Sequence, residues 1–330
     1  MREALALAVL PDAKCNPNPR VGCVLVGPGG EIVGRGHHVA AGQPHAEVNA
    51  IAAAGELARG ATAVVTLEPC LHTGRTGPCT QALIEAGVSQ VVFAQADPTD
   101  IAGGGAAELM RAGIAVIGGV LADEAALINR AWTHVQVTGR PYVSIKTAMS
   151  LDGRVAGAGG GPTSITGAAA RAWVGQFRSE VDAVLVGANT VIVDNPALTA
   201  RDSSGVLLPN QPLRVVVGGR HLPTNLRIFA DEGGGPGIQI REHDPDRILE
   251  ALLAQKVQQV LIEGGPTLIA AFVKAGLVDE ILWFLAPKFL GAGPVAMAPL
   301  PSPQAVTVTA VEVIGNDVLI RGALSPAPND

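Results

Sequence analysis

Three residues far apart in the chain, His45, Cys70 and Cys79, carry side chains that zinc prefers, and a fold that uses them must bring all three to one point. They stand in two short motifs, Pro44-His45-Ala46-Glu47 and Leu67-Glu68-Pro69-Cys70, with Cys79 following. Three protein ligands are the count of a catalytic zinc site, which leaves a fourth position for water and lowers its pKa towards ~7. Glu47 is a carboxylate that this count does not need as a ligand. At the start of the helix expected over Glu47–Ala53 it is close enough to take a proton from that water and pass it on. The bland alternatives are a core histidine with ordinary buried cysteines, or a structural zinc closed by a fourth ligand such as His72. Neither has a use for a glutamate two residues from the histidine. Cys15 and Cys23 read as small buried apolar side chains, Cys23 within a strand over residues 21–26.

Between Cys70 and Cys79 runs Leu71-His72-Thr73-Gly74-Arg75-Thr76-Gly77-Pro78. Its turn formers Gly74, Gly77 and Pro78 allow the chain to fold back and return Cys79 to the metal, with His72 and Arg75 beside the pocket. An arginine there points to an anionic substrate.

At 330 residues and 48% apolar content the chain is long enough for two globular units with a core each. Four cysteines, two of them assigned to metal, make no disulfide framework and fit a reducing, cytoplasmic setting. The short apolar run at the N-terminus contains Glu3 and no bilayer-length segment follows, so a plain helix is expected rather than a signal or membrane span. A net charge of −6 and 3% aromatic residues argue against nucleic acid as a partner, whereas a small phosphorylated molecule needs only a few local arginines.

Along the first 139 residues strands alternate with helices, which implies a sheet covered on both faces, with ligands gathering at strand ends. The last helix of this half is expected around Ala125 to Trp132. A second unit is expected from residue 140, where Gly139-Arg140-Pro141 interrupts the pattern. Gly157-Ala158-Gly159-Gly160-Gly161-Pro162 superficially resembles a nucleotide loop, but its sixth residue is proline and no Gly-Lys-Ser/Thr follows, so a surface loop is expected. Glu263-Gly264-Gly265-Pro266-Thr267 joins a strand to a helix whose N-terminus can hold an anion, although paired glycines there also serve packing alone.

The histidine, glutamate and cysteine spacing resembles that of zinc-dependent base deaminases, with a longer interval between the cysteines. Over nearly its whole length the chain resembles one family, the bifunctional riboflavin-biosynthesis RibD proteins, in which a pyrimidine deaminase is joined to a pyrimidine reductase. Asn16-Pro17-Asn18-Pro19-Arg20-Val21-Gly22-Cys23, His45-Ala46-Glu47, Thr66-Leu67-Glu68-Pro69-Cys70 and Gly77-Pro78-Cys79 carry the resemblance in the first half. Lys146, Ser150-Leu151-Asp152-Gly153, Asp194-Asn195-Pro196-Ala197-Leu198-Thr199, Glu263 to Thr267 and Gly276 to Glu280 carry it in the second.

The resemblance implies a three-layer α/β/α domain of cytidine-deaminase type over 1–139, then an α/β domain of dihydrofolate-reductase type over 140–330. It further implies zinc-dependent deamination of 2,5-diamino-6-(5-phosphoribosylamino)pyrimidin-4-one, NADPH-dependent reduction of the ribosyl group to ribityl, and a homo-oligomer. Asn18, His38, His72, Arg75 and Asp97 are implied to hold the first substrate. Lys146, Asp194 and Glu263 are implied at the reducing centre. Arg178 and Arg201 would hold the phosphate there, and Ala148, Thr166, Thr190, Gly264 and Gly265 the cofactor. Several positions depart from the family's usual residues: Arg75 for lysine, Thr99 for asparagine, Pro162 for serine, Ser164 for tryptophan, and Gly218-Gly219 for an Asp-Ser pair. Two other readings are a deaminase of nucleosides or tRNA bases with a binding module attached, and a zinc-stabilised regulator. The long interval between the cysteines, the acidic balance and the scarcity of aromatics speak against the first, and Glu47 against the second.

Overall fold

A computed structural model of the chain describes residues 1–10, 15–71, 77–99, 103–159, 161, 163–231, 233–235 and 237–324. The chain divides into two units, Met1–Gly139 and Arg140–Asp330.

In the first unit α1 (Arg2–Ala8) precedes β1 (Gly22–Val26) and β2 (Ile32–His37), which pair antiparallel. Then come α2 (Ala46–Ala54), β3 (Thr62–Leu67), α3 (Cys79–Ala86), β4 (Gln90–Gln95), α4 (Gly105–Arg111) and β5 (Ala115–Ile117). The sheet order is β2-β1-β3-β4-β5, antiparallel on either side of β1 and parallel from β3 to β5. Successive residues of a strand face opposite sides, and β4 shows it. Val91 and Phe93 join one core cluster with Ala50 and Leu83, while Ala94 packs with Leu5 and Ala125 in another. Gly34 and Gly36 let α2 lie directly on β2: a Cβ at Gly36 would come 2.3 Å from the Ala46 carbonyl oxygen, and one at Gly34 2.3 Å from that of Ala50. That close approach fixes where α2 begins, and with it His45 and Glu47.

The helix expected around Ala125 to Trp132 is in fact two, α5 (Ala122–Ile128) and α6 (Arg130–Thr138), broken at Asn129. The buried Asn129 side chain accepts from the Arg20 amide at 2.8 Å and donates to the Arg20 carbonyl at 2.9 Å. Two hydrogen bonds to a chain segment 109 residues away offset the lost helical turn.

The second unit runs β6 (Tyr142–Ser150), α7 (Ala168–Phe177), β7 (Ala183–Gly187), α8 (Ala188–Asp194), β8 (Leu213–Val217) and β9 (Gly237–Ile240). It continues with α9 (Pro245–Ala254), β10 (Gln259–Ile262), α10 (Pro266–Lys274), β11 (Glu280–Ala286), β12 (Val306–Ile314) and β13 (Asp317–Leu324). Its sheet has the order β12-β13-β11-β6-β10-β7-β8-β9, parallel from β11 to β9 and closed by the antiparallel hairpin β12–β13. Period-two burial splits the core by face: Val143, Leu185 and Val260 pack under α9 and α10, whereas Val184, Leu261 and Phe284 pack under α7 and α8. Lys146 and Ala148, one and three residues on from Ile145, point to the α7 side.

Candidate active sites in the two units

Two helix N-termini converge in the first unit. His45 is the N-cap of α2, and Cys79 is the first residue of α3 after its N-cap Pro78. Cys70 follows the end of β3 by three residues, so a strand end and two helix starts each bring one donor to the same point. His45 Nδ1 lies 3.1 Å from Cys79 Sγ and 3.6 Å from Cys70 Sγ, and all three donor atoms lie within 4.8 Å of one another. Ligands held tetrahedrally at ~2.0–2.3 Å from one centre stand roughly 3.5 Å apart, so this trio fits zinc. The Cys79 amide donates to Cys70 Sγ at 3.4 Å. With the Cys79 thiol as first cause, hydrogen bonding draws the Cys70 thiol down to about 4, which prepares a thiolate for metal. Glu47, 3% exposed, hydrogen-bonds to Cys79 and supplies no ligand atom to the trio; burial raises its pKa.

Around the trio the imidazole of His38 meets that of His45 edge to face at 5.3 Å. His38 has both ring nitrogens engaged, Nδ1 with the Pro44 carbonyl at 3.1 Å and Nε2 with the Asn18 side-chain amide at 3.1 Å. Burial lowers its pKa, so the neutral ring with hydrogen on Nδ1 satisfies both partners. Cys15, expected as a plain apolar filler, is buried but also donates its thiol to the His38 carbonyl at 2.9 Å. Asp97 accepts from the Thr99 amide at 2.9 Å and hydroxyl at 2.6 Å, so threonine in place of asparagine still closes this turn. His72 and Arg75 lie outside the described residues.

Sequence reasoning missed Glu68. Its buried carboxylate accepts from the Asp97 amide at 3.2 Å and the Ala106 amide at 2.9 Å, tying the Asp97 turn and the head of α4 to the end of β3. A lone carboxylate inside the apolar run Val64-Val65-Thr66-Leu67-Glu68-Pro69 was the available signal.

In the second unit side chains gather at the C-terminal ends of parallel strands, the general place for ligands on such sheets. A cavity of about 520 Å³ is lined by Lys146 and Ala148 of β6, Thr166 ahead of α7, Thr190 and Asp194 of α8, and Glu263 to Pro266 after β10. Thr190 and Asp194, four apart on α8, share one face. A larger cavity of about 870 Å³ shares Thr190, Asp194, Ser164 and Gly265 with the first and extends over Gly187, Gly218-Gly219, Arg220 and His243. Gly265 is the N-cap of α10 with Pro266 behind it, so bare backbone opens that helix onto the larger cavity. Gly218-Gly219, where the family usually has Asp-Ser, lines this cavity too, and the Gly219 amide donates to His243 Nε2 at 3.2 Å.

Glu263 is the electrostatic centre. Burial works to raise its carboxyl, but the Arg178 guanidinium and the Lys146 ammonium outweigh it and hold the pKa below its ordinary value. Burial lowers the Lys146 ammonium and raises the Asp194 carboxyl. Arg178, expected at the phosphate, lines the smaller cavity and is paired with Glu263. Its Nε and Nη2 grip Glu263 at 2.6 and 2.9 Å, and its Nη1 donates to the Thr199 carbonyl at 3.1 Å. A buried carboxylate needs a cation, and Arg178 is the one whose fork reaches it. Arg201, expected beside it, donates to the Thr199 hydroxyl at 2.9 Å and the Gly205 carbonyl at 2.8 Å and is not among the residues lining either cavity. Pro162 lies outside the described residues.

Residues 1–95 match the family model of the cytidine and deoxycytidylate deaminase zinc-binding region, and residues 141–320 match that of the RibD C-terminal domain. The riboflavin biosynthesis protein RibD of Mycobacterium tuberculosis is 48% identical over 311 residues, covering 92% of this chain and 90% of the relative. Its Escherichia coli counterpart is 39% identical over 332 residues, with 91% and 90% covered. Among solved structures, Acinetobacter baumannii RibD superposes with a TM-score of 0.88 at 38% identity over 98% of both chains. A Thermotoga maritima diaminohydroxyphosphoribosylaminopyrimidine deaminase/5-amino-6-(5-phosphoribosylamino)uracil reductase superposes with a TM-score of 0.85 at 33% identity, covering 98% of this chain and 97% of that one. A zinc-type trio ahead of a strand-end cavity, with relatives of this identity over nine-tenths of the chain, leaves one conclusion: the chain belongs to the riboflavin biosynthesis protein RibD family, a deaminase followed by a reductase.

Proposed function

We propose that the first unit hydrolyses the exocyclic amine of 2,5-diamino-6-(5-phosphoribosylamino)pyrimidin-4(3H)-one, and that the second reduces the resulting 5-amino-6-(5-phosphoribosylamino)uracil with NADPH to its ribitylamino form. The observation that carries the reading is the pairing in one chain of His45, Cys70 and Cys79, backed by Glu47, with the Lys146–Glu263–Asp194 cavity. Zinc held by the trio supplies Lewis-acid activation of water at neutral pH. Glu47 takes a proton from the attacking water and delivers it to the departing amine; its burial keeps the carboxyl basic enough to do both. Asn18 and His38, locked to each other, order one wall of the pocket, and Asp97 on its Glu68-held turn orders another. We assign His72 and Arg75 to the substrate as the family pattern implies.

In the second unit NADPH supplies the hydride. The larger cavity fits a dinucleotide along its glycine-lined floor, and Ala148, Thr166, Thr190, Gly264 and Gly265 are assigned to the nicotinamide end because they border the smaller cavity. Reduction forms a C–H bond at the anomeric carbon and breaks its bond to the ring oxygen, which must gain a proton. Lys146 is assigned as donor, since burial lowers its pKa and Glu263 stands 3.8 Å from its Nζ. Asp194 orients the sugar from the opposite wall, and Arg201 is kept as a phosphate contact. Arg178, which lines the smaller cavity while paired with Glu263, is kept as a phosphate contact too.

Four cysteines, all free, support a cytoplasmic setting, and no helix among the described residues is long and apolar enough to cross a membrane. We further assign β12 to a contact with a second copy: it is the sheet edge, and Val308, Val311 and Val313 are more than half exposed on it. Val311→Lys should lower the mass measured by light scattering if this assignment holds.

Incubating the purified chain with the diaminopyrimidine phosphate, with and without NADPH, and identifying the products by mass tests the whole reading. Deamination without NADPH and reduction only with it is the expected outcome, and an unchanged substrate in both arms sinks it.

A further inference from the structure

The break between α5 and α6 falls on Asn129, whose buried carboxamide gives both its polar groups to one residue. Its Oδ1 accepts from the Arg20 amide at 2.8 Å and its Nδ2 donates to the Arg20 carbonyl at 2.9 Å. Arg20 ends the segment Asn16-Pro17-Asn18-Pro19-Arg20 that leads towards β1. Two residues before it, the Asn18 side-chain amide lies 3.1 Å from His38 Nε2, and the His38 ring meets that of His45 at 5.3 Å. A continuous chain of contacts thus runs from Asn129, through the Arg20 backbone, to the wall of the zinc-type trio. Thr133, four residues on in α6, accepts from Gln95 Nε2 at 2.9 Å, and Gln95 ends β4 two residues before Asp97. The start of α6 therefore stands behind both segments assigned to the first substrate.

A carboxamide that accepts and donates at a single residue fixes both the position and the direction of that backbone. A carboxylate in its place could only accept, and an apolar side chain could do neither. Neither Asn129 nor Arg20 belongs to the apolar core clusters of the first unit, and Arg20 is only half-buried, so water can satisfy its backbone once Asn129 is removed. What water cannot supply is the register at which Asn18 meets His38. A wall ordered in advance also spares the binding step the entropy of ordering it. Resting on the deaminase reading above, we propose that Asn129 is a positioning residue of the deaminase site, which holds the Asn18 segment against His38 from behind without touching substrate or metal.

The full-length chain would be assayed for deamination of the diaminopyrimidine phosphate, and for zinc by elemental analysis, as wild type, Asn129→Ala, Asn129→Asp, Asn18→Ala and the double variant Asn18→Ala/Asn129→Ala. Asn129→Ala should keep its zinc and raise KM roughly 10-fold with kcat little changed, because an ordered wall serves ground and transition states alike. Asn129→Asp retains one of the two bonds and should fall between; it carries the same test if the alanine protein loses zinc. Since Asn129 acts through Asn18, its replacement should change KM little on the Asn18→Ala background, a coupling that a general brace would not show. An unchanged KM in Asn129→Ala overturns the proposal. So does full additivity with Asn18→Ala, or zinc lost from both Asn129 variants, either of which would make Asn129 a brace for the unit at large. A zinc-loaded wild type that does not deaminate would overturn the deaminase reading itself, and the proposal with it.

Discussion

Glu263 holds Arg178 through two parallel hydrogen bonds, 2.6 Å from Nε and 2.9 Å from Nη2, and the same carboxylate faces Lys146 at 3.8 Å. One buried anion thus pairs with two cations, and its removal should be felt by both. Burial is the main influence lowering Lys146; Arg178 adds to it and Glu263 opposes it. If the reaction needs the Lys146 ammonium, activity is present below the pKa of that group and lost above it. Glu263→Gln removes the opposing charge, so the alkaline limb of the kcat profile for reduction should move to lower pH. A pH–rate series on the deaminated substrate checks this, and a stationary limb removes Lys146 from the role of proton donor.

Glu47 moves protons rather than holding metal in this account. Glu47→Gln should keep its zinc, measured by elemental analysis, and lose deamination by ~10²-fold or more, the effect of removing a general acid–base group. Zinc lost along with activity would make Glu47 a ligand instead.

Stripping zinc with a chelator should silence only one of the two reactions. The trio lies in the unit Met1–Gly139, whereas every residue assigned to reduction lies in Arg140–Asp330. The metal-free chain should still oxidise NADPH with the deaminated substrate while failing to deaminate. Restoration of deamination by added zinc completes the check.

A fragment beginning at Arg140 should fold and reduce the deaminated substrate, because its core clusters draw only on residues of that unit. Circular dichroism and NADPH consumption measure the two halves of that statement. A folded but inert fragment would mean that the reductase site depends on the first unit.

Phe272 on α10 is fully buried against the α9 side of the second sheet. Phe272→Ala should cost about 3–5 kcal/mol in a denaturant titration, the sum of lost transfer energy and the cavity left behind. A change under 1 kcal/mol would show that this layer can collapse into the gap.

His45, Cys70, Cys79 and Glu47 were legible in the chain because their chemistry is carried by residue type and spacing, and few other arrangements use a spare carboxylate two residues from a histidine ligand. The strands β4, β7 and β10 were legible for a related reason: burial with period two or as a continuous apolar run is a local property. The commitments of Arg178 and Glu68 and the break at Asn129 could not be read that way. Arg178 meets Glu263 across 85 residues, Glu68 meets Ala106 across 38, and Asn129 meets Arg20 across 109. Each partner is chosen by strand register and by the direction in which a helix face points, and these exist only once the sheets are assembled. A guanidinium has the same composition whether it faces a buried carboxylate or the mouth of a cavity. Only the packing of α7 against its sheet decided that Arg178 turns towards Glu263.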